Sequence, residues 1–239
     1  MIFHIITLFP QSFESYLNES ILKRAILDKK IKVKFYNPRD FTNGFSYSDK
    51  RVDDKPYGGG PGMVIEALPV IKAIEEALCE KTDKEQTKEK KNDKKNKLEN
   101  GEVRKKVKIV WLTPSGKQFN TSYAKNISKK YTDIIIICGR YEGIDARIKK
   151  VFKMEQVSVG PFVVTGGELP AMILIDSISR QIEGILGDIQ SLEENRISSP
   201  DVYTRPEVLE YENKKYRVPK VLLSGNHKLI DEWRKNKKQ

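Results

Sequence analysis

Two short segments hold most of the chemical information in this chain. Cys138-Gly139-Arg140-Tyr141-Glu142-Gly143-Ile144-Asp145 continues the apolar run Ile134–Cys138, and Gly160-Pro161-Phe162-Val163-Val164-Thr165-Gly166-Gly167-Glu168-Leu169-Pro170 follows the run Met154–Val159. Each starts as a strand-like stretch and breaks into glycines beside charged side chains. Ligands of open α/β sheets bind beyond the carboxyl ends of the strands, where glycine lets the backbone come close to them. The pair reads as a cofactor pocket, with two ordinary strand-to-helix turns as the plain alternative. A third strand, Val107–Leu112, ends in Thr113-Pro114-Ser115-Gly116, so three strand ends supply turns that can meet around one ligand.

Two commoner nucleotide signatures are missing. Gly58–Gly62 lacks the G-x-x-x-x-G-K-[ST] form that wraps phosphates, and no G-x-G-x-x-G follows a strand. Cys79 and Cys138 form no C-x-x-C pair, and His4 and His227 form no H-E-x-x-H, so no metal site is assigned.

The elements that must position these turns alternate between strand and helix, which predicts an α/β fold with a largely parallel sheet. Phe3–Leu8 reads as a strand, and Phe13, Tyr16, Leu17, Ile21, Leu22 and Ala25 recur at helical spacing. Ile31, Val33 and Phe35 alternate as a second strand; a long Gly-rich loop runs to about Gly62 before a helix carrying Ala67, Leu68, Ile71, Ile74 and Leu78. A helix over Leu169–Gln181 follows the second pocket segment. The stretch after Gly184 reads as a linker to a small C-terminal module with Val221-Leu222-Leu223 and a helix near Leu229–Trp233.

Composition narrows the partners. The chain has 239 residues, 38% of them hydrophobic, and a net charge of +11, which points to a polyanion. Residues 80–108 hold 12 Lys/Arg and 7 Asp/Glu and so contribute +5 of that charge, leaving the rest moderately basic. Glu80 to Glu102 contains one large aliphatic residue, Leu98, and reads as a flexible insertion with almost nothing to bury. The apolar start, Met1–Pro10, lacks the basic region and cleavage site of a signal peptide and reads as a buried strand. No run approaches the roughly 18 apolar residues of a membrane span, so a cytoplasmic protein without membrane contact is expected.

The chain resembles the bacterial tRNA (guanine-N1)-methyltransferases of the SPOUT superfamily, which modify the guanosine 3′ of the anticodon, position 37. The resemblance rests on both pocket segments and on four further stretches. These are Leu8-Phe9-Pro10, Asn37-Pro38-Arg39-Asp40-Phe41, Val52 through Met63 with its Tyr57-Gly58-Gly59-Gly60-Pro61-Gly62 core, and Tyr203-Thr204-Arg205-Pro206-Glu207-Val208. It implies a deep trefoil knot, which residue pattern alone would not suggest because knots are very rare. It further implies a knotted α/β methyl-donor-binding domain over 1–184 with an insertion at about 80–106, a linker over 185–205 and a mainly helical, tRNA-binding C-terminal module over 206–239.

Carried over residue by residue, the resemblance assigns the donor S-adenosylmethionine to Gly139 and to Val159, Gly160, Pro161, Phe162, Val163 and Val164. Leu112, Thr113, Pro114, Tyr141, Glu142, Gly143, Gly166, Gly167 and Pro170 complete that pocket. Many relatives carry an acid where Pro161 stands. Arg180 is expected to stabilise charge developing on guanine O6, with a helix-surface ion pair as its bland reading. Glu142 is expected to orient that arginine or the donor, or to serve as a helix-start carboxylate. Arg39, Asp53, Asp54, Pro61, Tyr203 and Arg205 match positions around the guanosine and the tRNA; turn formation and exposed charge are their plain readings. The implied enzyme is a homodimer with its active sites at the subunit interface. A magnesium requirement is not readable from the sequence.

The chain departs from the family at the general base. The position of the family's catalytic aspartate falls on Asn195, whose amide cannot usefully accept the guanine N1 proton, and Glu194 beside it is the expected base. The linker is shorter than usual and the chain stops soon after Trp233-Arg234. A weakly active or non-catalytic RNA-binding relative is therefore the alternative expectation.

Overall fold

Four consecutive isoleucines, Ile134–Ile137, occupy the middle of the sheet, and each is fully buried. A strand covered on both faces has no polar side, which is why its sequence shows no alternation. The computed structural model describes residues 1–42, 50–79, 106–187 and 201–236. The described residues group into two compact units, Met1–Ile185 and Leu186–Gln239.

In the first unit, β1 (Ile2–Ile6) leads through a 3-10 turn and the short α1 (Glu14–Leu17) to α2 (Ser20–Leu27) and β2 (Lys32–Tyr36). A two-stranded pair, β3 (Asp53–Asp54) and β4 (Val64–Ile65), precedes α3 (Ala67–Cys79). After it come β5 (Val107–Gln118), α4 (Thr121–Lys130), β6 (Asp133–Ile137), α5 (Ile148–Val151), β7 (Glu155–Ser158) and α6 (Glu168–Ser179). The main sheet has the order β2-β1-β6-β5-β7 with every pair parallel.

Side-chain alternation divides the core between the two faces. Phe3, Ile5, Val110, Ile134 and Ile136 pack with Leu22, Ala124, Leu174 and Ile178 from α2, α4 and α6. Ile6, Trp111, Ile135 and Ile137 pack on the opposite face with Val70, Ala73 and Ile74 of α3 and with Ile148. Crossover helices on both faces are the usual consequence of an all-parallel sheet.

Several boundaries differ from the sequence-based expectation. β5 continues to Gln118 because Leu112 and Lys117 both pair with Val157; residues 113–116 bulge out and the ladder then resumes. The expected helix from Phe13 to Ala25 is broken between Asn18 and Ser20, where Ser20 has φ 49°. The second unit contains, besides α7 (Lys220–Leu223) and α8 (His227–Asn236), the antiparallel hairpin β8 (Val208–Tyr211) and β9 (Lys214–Arg217), which the sequence reading did not anticipate. Its two-residue turn, Glu212-Asn213, has both φ values positive, matching strand twist without the Asn-Gly signal that would have announced it.

Candidate functional site

The first pocket turn leaves β6 and the second leaves β7, two strands separated in the sheet only by β5. Gly167 N–H donates to Gly139 O at 2.9 Å, and Arg140 and Gly166 form an isolated antiparallel bridge. The two turns are thus hydrogen-bonded to each other. The end of β3–β4 joins the first: Glu142 N–H donates to Met63 O, Ile65 N–H to Gly143 O and Asp145 N–H to Ile65 O, all within 3.0 Å.

A cavity of about 420 Å³ opens between these turns. That volume is within the range of small-molecule sites. Of the residues expected to hold the donor, all but Gly160 and Pro161 line it. Gly160 is buried behind it, with Ser158 Oγ donating to its carbonyl at 2.9 Å, and Pro161 is exposed. Trp111, Arg140, Ile144, Gln156, Val157, Ser158 and Thr165 also line the cavity and were given no role from sequence. Arg140 belongs to the first pocket segment, so its presence was legible in the sequence; its partner was not.

That partner is Glu168. Its carboxylate is 3% exposed, with Oε2 2.9 Å from Arg140 Nε and Oε1 accepting from Thr7 Oγ1 at 2.8 Å. The Arg140 guanidinium lies 4.7 Å from the centroid of the Phe9 ring. Burial, with the Glu168 charge adding to it, pushes the Cys138 thiol well above its ordinary value, so Cys138 is not a thiolate nucleophile at neutral pH. Glu142 is exposed at the cavity rim, and a Cβ placed on Gly62 would fall 2.5 Å from its Oε1.

The remaining predicted residues lie elsewhere. Arg180 follows the last residue of α6 at its C-terminus, and its N–H donates to Asp176 O. The twelve residues of α6, at about 1.5 Å each, put it roughly 18 Å from Glu168. It does not line the cavity. Arg39 sits in the 3-10 turn Pro38–Phe41, its N–H bonded to Asn37 Oδ1 at 3.1 Å. Asp53 pairs with Arg51 at 3.6 Å, Asp54 Oδ1 accepts from Lys55 N–H, and Pro61 is exposed in the glycine run. Tyr203 and Arg205 belong to the second unit, where the Tyr203 ring lies 6.2 Å from that of Trp233. Glu194 and Asn195 lie outside the described residues. Among the described residues no group of three or more His, Cys, Asp or Glu is placed to hold a metal ion, and no helix is long and apolar enough to cross a membrane.

The family model described as tRNA (guanine-1)-methyltransferase TrmD matches residues 1–239. The chain belongs to this family. A tRNA (guanine-N(1)-)-methyltransferase of Clostridioides difficile (strain 630) is 45% identical over 240 residues, which span 98% of this chain and 91% of that protein. One of the same name from Caldanaerobacter subterraneus subsp. tengcongensis is 43% identical, spanning 99% of this chain and 86% of the relative. Another, from Buchnera aphidicola subsp. Acyrthosiphon pisum, is 39% identical over 97% of this chain and 87% of the relative. Family membership accounts for the whole chain, residues 1–239. No support for the non-catalytic alternative comes from these relatives, all of which carry an enzyme's name.

Proposed function

We propose that this protein methylates N1 of guanosine 37 in tRNA, next to the anticodon, with S-adenosylmethionine as the donor, and that it does so in the cytoplasm as a homodimer with a deep trefoil knot. The observation that carries the reading is the cavity formed where the turns after β5, β6 and β7 converge, in a chain that matches the tRNA methyltransferase family throughout.

The lining suits that donor. Leu112, Ile144, Val157 and Pro170 offer apolar surface for a nucleoside, and Arg140 and Glu142 offer one charge of each sign for its zwitterionic tail. When bound, S-adenosylmethionine supplies an electrophilic methyl group on a sulfonium and leaves as S-adenosylhomocysteine. The protein must remove the N1 proton, hold N1 in line with the methyl group and stabilise the negative charge that spreads to O6. A positioned guanidinium answers the last need and is worth about 2.7–4 kcal/mol in comparable sites. Arg180 is the side chain proposed for it, and Glu194 is proposed as the base.

Because Arg180 is about 15 Å along α6 from Pro170, the last residue of that helix to line the cavity of its own subunit, it serves the cavity of a second copy. An exposed apolar surface supports that assembly: Phe9, Tyr16, Leu169 and Ile173 are all more than a third exposed, and Leu169 and Ile173 share one face of α6. The knotted reading rests on family membership. The deciding experiment is methyl incorporation into unmodified tRNA with guanosine at 36 and 37, with the product mapped. 1-Methylguanosine at 37 is expected; methylation at another atom or nucleotide, or none from a folded sample that binds the donor, would overturn the reading.

A further inference from the structure

Glu168 has a chemical position that its place in the helix does not explain. It is one of the few buried carboxylates among the described residues, and it links three elements: the end of β1 through Thr7, the turn after β6 through Arg140 and the start of α6. Thr7 Oγ1 also accepts from Phe9 N–H at 3.0 Å, so Phe9, Thr7 and Glu168 form one hydrogen-bonded chain that ends against Arg140.

The Arg140 guanidinium is held on two sides. Its Nε edge faces Glu168, one face lies over the Phe9 ring, and Nη1 points to Thr165 O at 3.5 Å. Nη2 has no partner among the described residues, and the side chain is 25% exposed. Among the described residues, Arg140 is also the one cation that lines the cavity. A guanidinium ion-paired on its Nε side offers its outer edge as a flat fork for an oxyanion, and orienting it beforehand reduces the ordering cost of binding.

We propose that Arg140 is an oxyanion receptor of the active site and that Glu168 is the positioning residue that aims it. This rests on the proposed methyl transfer. Two oxyanions are available to the cavity in that reaction, the amino-acid carboxylate of the donor and a phosphodiester beside the target guanosine; each presents a pair of acceptor oxygens that suits the same fork. An Arg140 turned by Glu168 cannot follow the ligand, so the pair sets where the anion lies.

The test uses the full-length chain and four variants: Arg140→Gln, Arg140→Lys, Glu168→Gln and Thr7→Val. Wild-type protein must first bind S-adenosylhomocysteine and methylate tRNA; failure there sinks the proposed function before the variants are compared. If the anion is the donor carboxylate, Arg140→Gln weakens S-adenosylhomocysteine about tenfold or more and leaves 5′-methylthioadenosine, which has no carboxylate, unchanged. If it is a phosphodiester, S-adenosylhomocysteine binds normally, tRNA affinity falls by a similar factor and its log-log salt slope drops by about one. In either case Glu168→Gln shifts the same ligand in the same direction by less, and Arg140→Lys recovers only part of the loss because it keeps charge without the fork. Should Glu168→Gln fail to melt cooperatively, Thr7→Val loosens the same carboxylate from its other oxygen and must show the weaker form of the Arg140→Gln pattern. Normal affinity of Arg140→Gln for all three ligands would overturn the receptor, and a Glu168→Gln or Thr7→Val protein that loses only melting temperature would overturn the positioning role.

Discussion

Gly167 packs against Cys138 so closely that a Cβ built on it would lie 2.6 Å from the Cys138 Cα, with backbone rather than a movable side chain in the way. The same glycine donates its N–H to Gly139 O, so the start of α6 is fastened directly to the end of β6. Gly167→Ala is expected to lower stability by about 1–3 kcal/mol, as overpacking does in a tight core, and to abolish donor binding because the two turns must separate. Gly139→Ala is the informative contrast. Its Cβ would meet only Ile144 at 3.7 Å, so the fold should tolerate it while a methyl group enters the cavity. Urea midpoints and calorimetry with S-adenosylmethionine separate the two; equal loss of stability in both variants would contradict the packing argument.

Arg180 offers a test of the shared active site. Subunits carrying Arg180→Ala keep an intact donor cavity, and subunits carrying Gly166→Trp keep Arg180 but have a blocked one. If Arg180 acts across the dimer, mixing and re-equilibrating the two inactive proteins restores activity up to about a quarter of wild type, since half of the dimers then contain one complete site of two. No recovery from a mixture shown to exchange subunits would place Arg180 in the cavity of its own chain, against its distance along α6.

Much of this arrangement was legible in the sequence, because the strand ends carry the ligand turns and glycine runs mark strand ends. The residues on those turns line one cavity because β5, β6 and β7 are adjacent and parallel, and parallel neighbours put their carboxyl ends on the same side. What local patterns could not reveal were long-range partners. Thr7, Arg140 and Glu168 are each unremarkable in sequence, and only the folded sheet brings them within 3 Å of one another in series. The extension of β5 to Gln118 was hidden for a different reason: Thr-Pro-Ser-Gly has turn chemistry and does bulge, yet the ladder to β7 resumes beyond it. The Glu212-Asn213 hairpin was hidden by its composition.

A pH dependence follows from the outer edge of the sheet. Burial alone would raise the Glu155 carboxyl, but Lys108, whose Nζ is 2.5 Å away, and the Tyr123 hydroxyl at 3.1 Å bring it below its ordinary value. A carboxyl depressed in the folded state adds stability above its unfolded-state value and loses it as pH falls through the folded-state value. The stability gap between wild type and Glu155→Gln should therefore be constant near neutrality and close as the pH falls below the ordinary glutamate value of 4.5. Denaturant midpoints across that range provide the check; a gap unchanged to the acid limit would mean that the charge contributes nothing.

Proton removal is the most exposed part of the proposed chemistry, because the resemblance puts the family's aspartate at Asn195, outside the described residues. An amide has no basic lone pair of use near neutral pH, whereas the neighbouring Glu194 carboxylate does. Glu194→Gln is expected to slow single-turnover methylation by about 10²–10⁴-fold, the usual loss for a general base, with donor affinity unchanged. Asn195→Asp should preserve or raise the rate, since it adds a second carboxylate at the position that the resemblance gives to the base. The two variants together separate the explanations. A silent Glu194→Gln with a large gain from Asn195→Asp would mean that the natural protein works without its base, and silence in both would assign the proton to another group and displace the linker alignment by at least one residue.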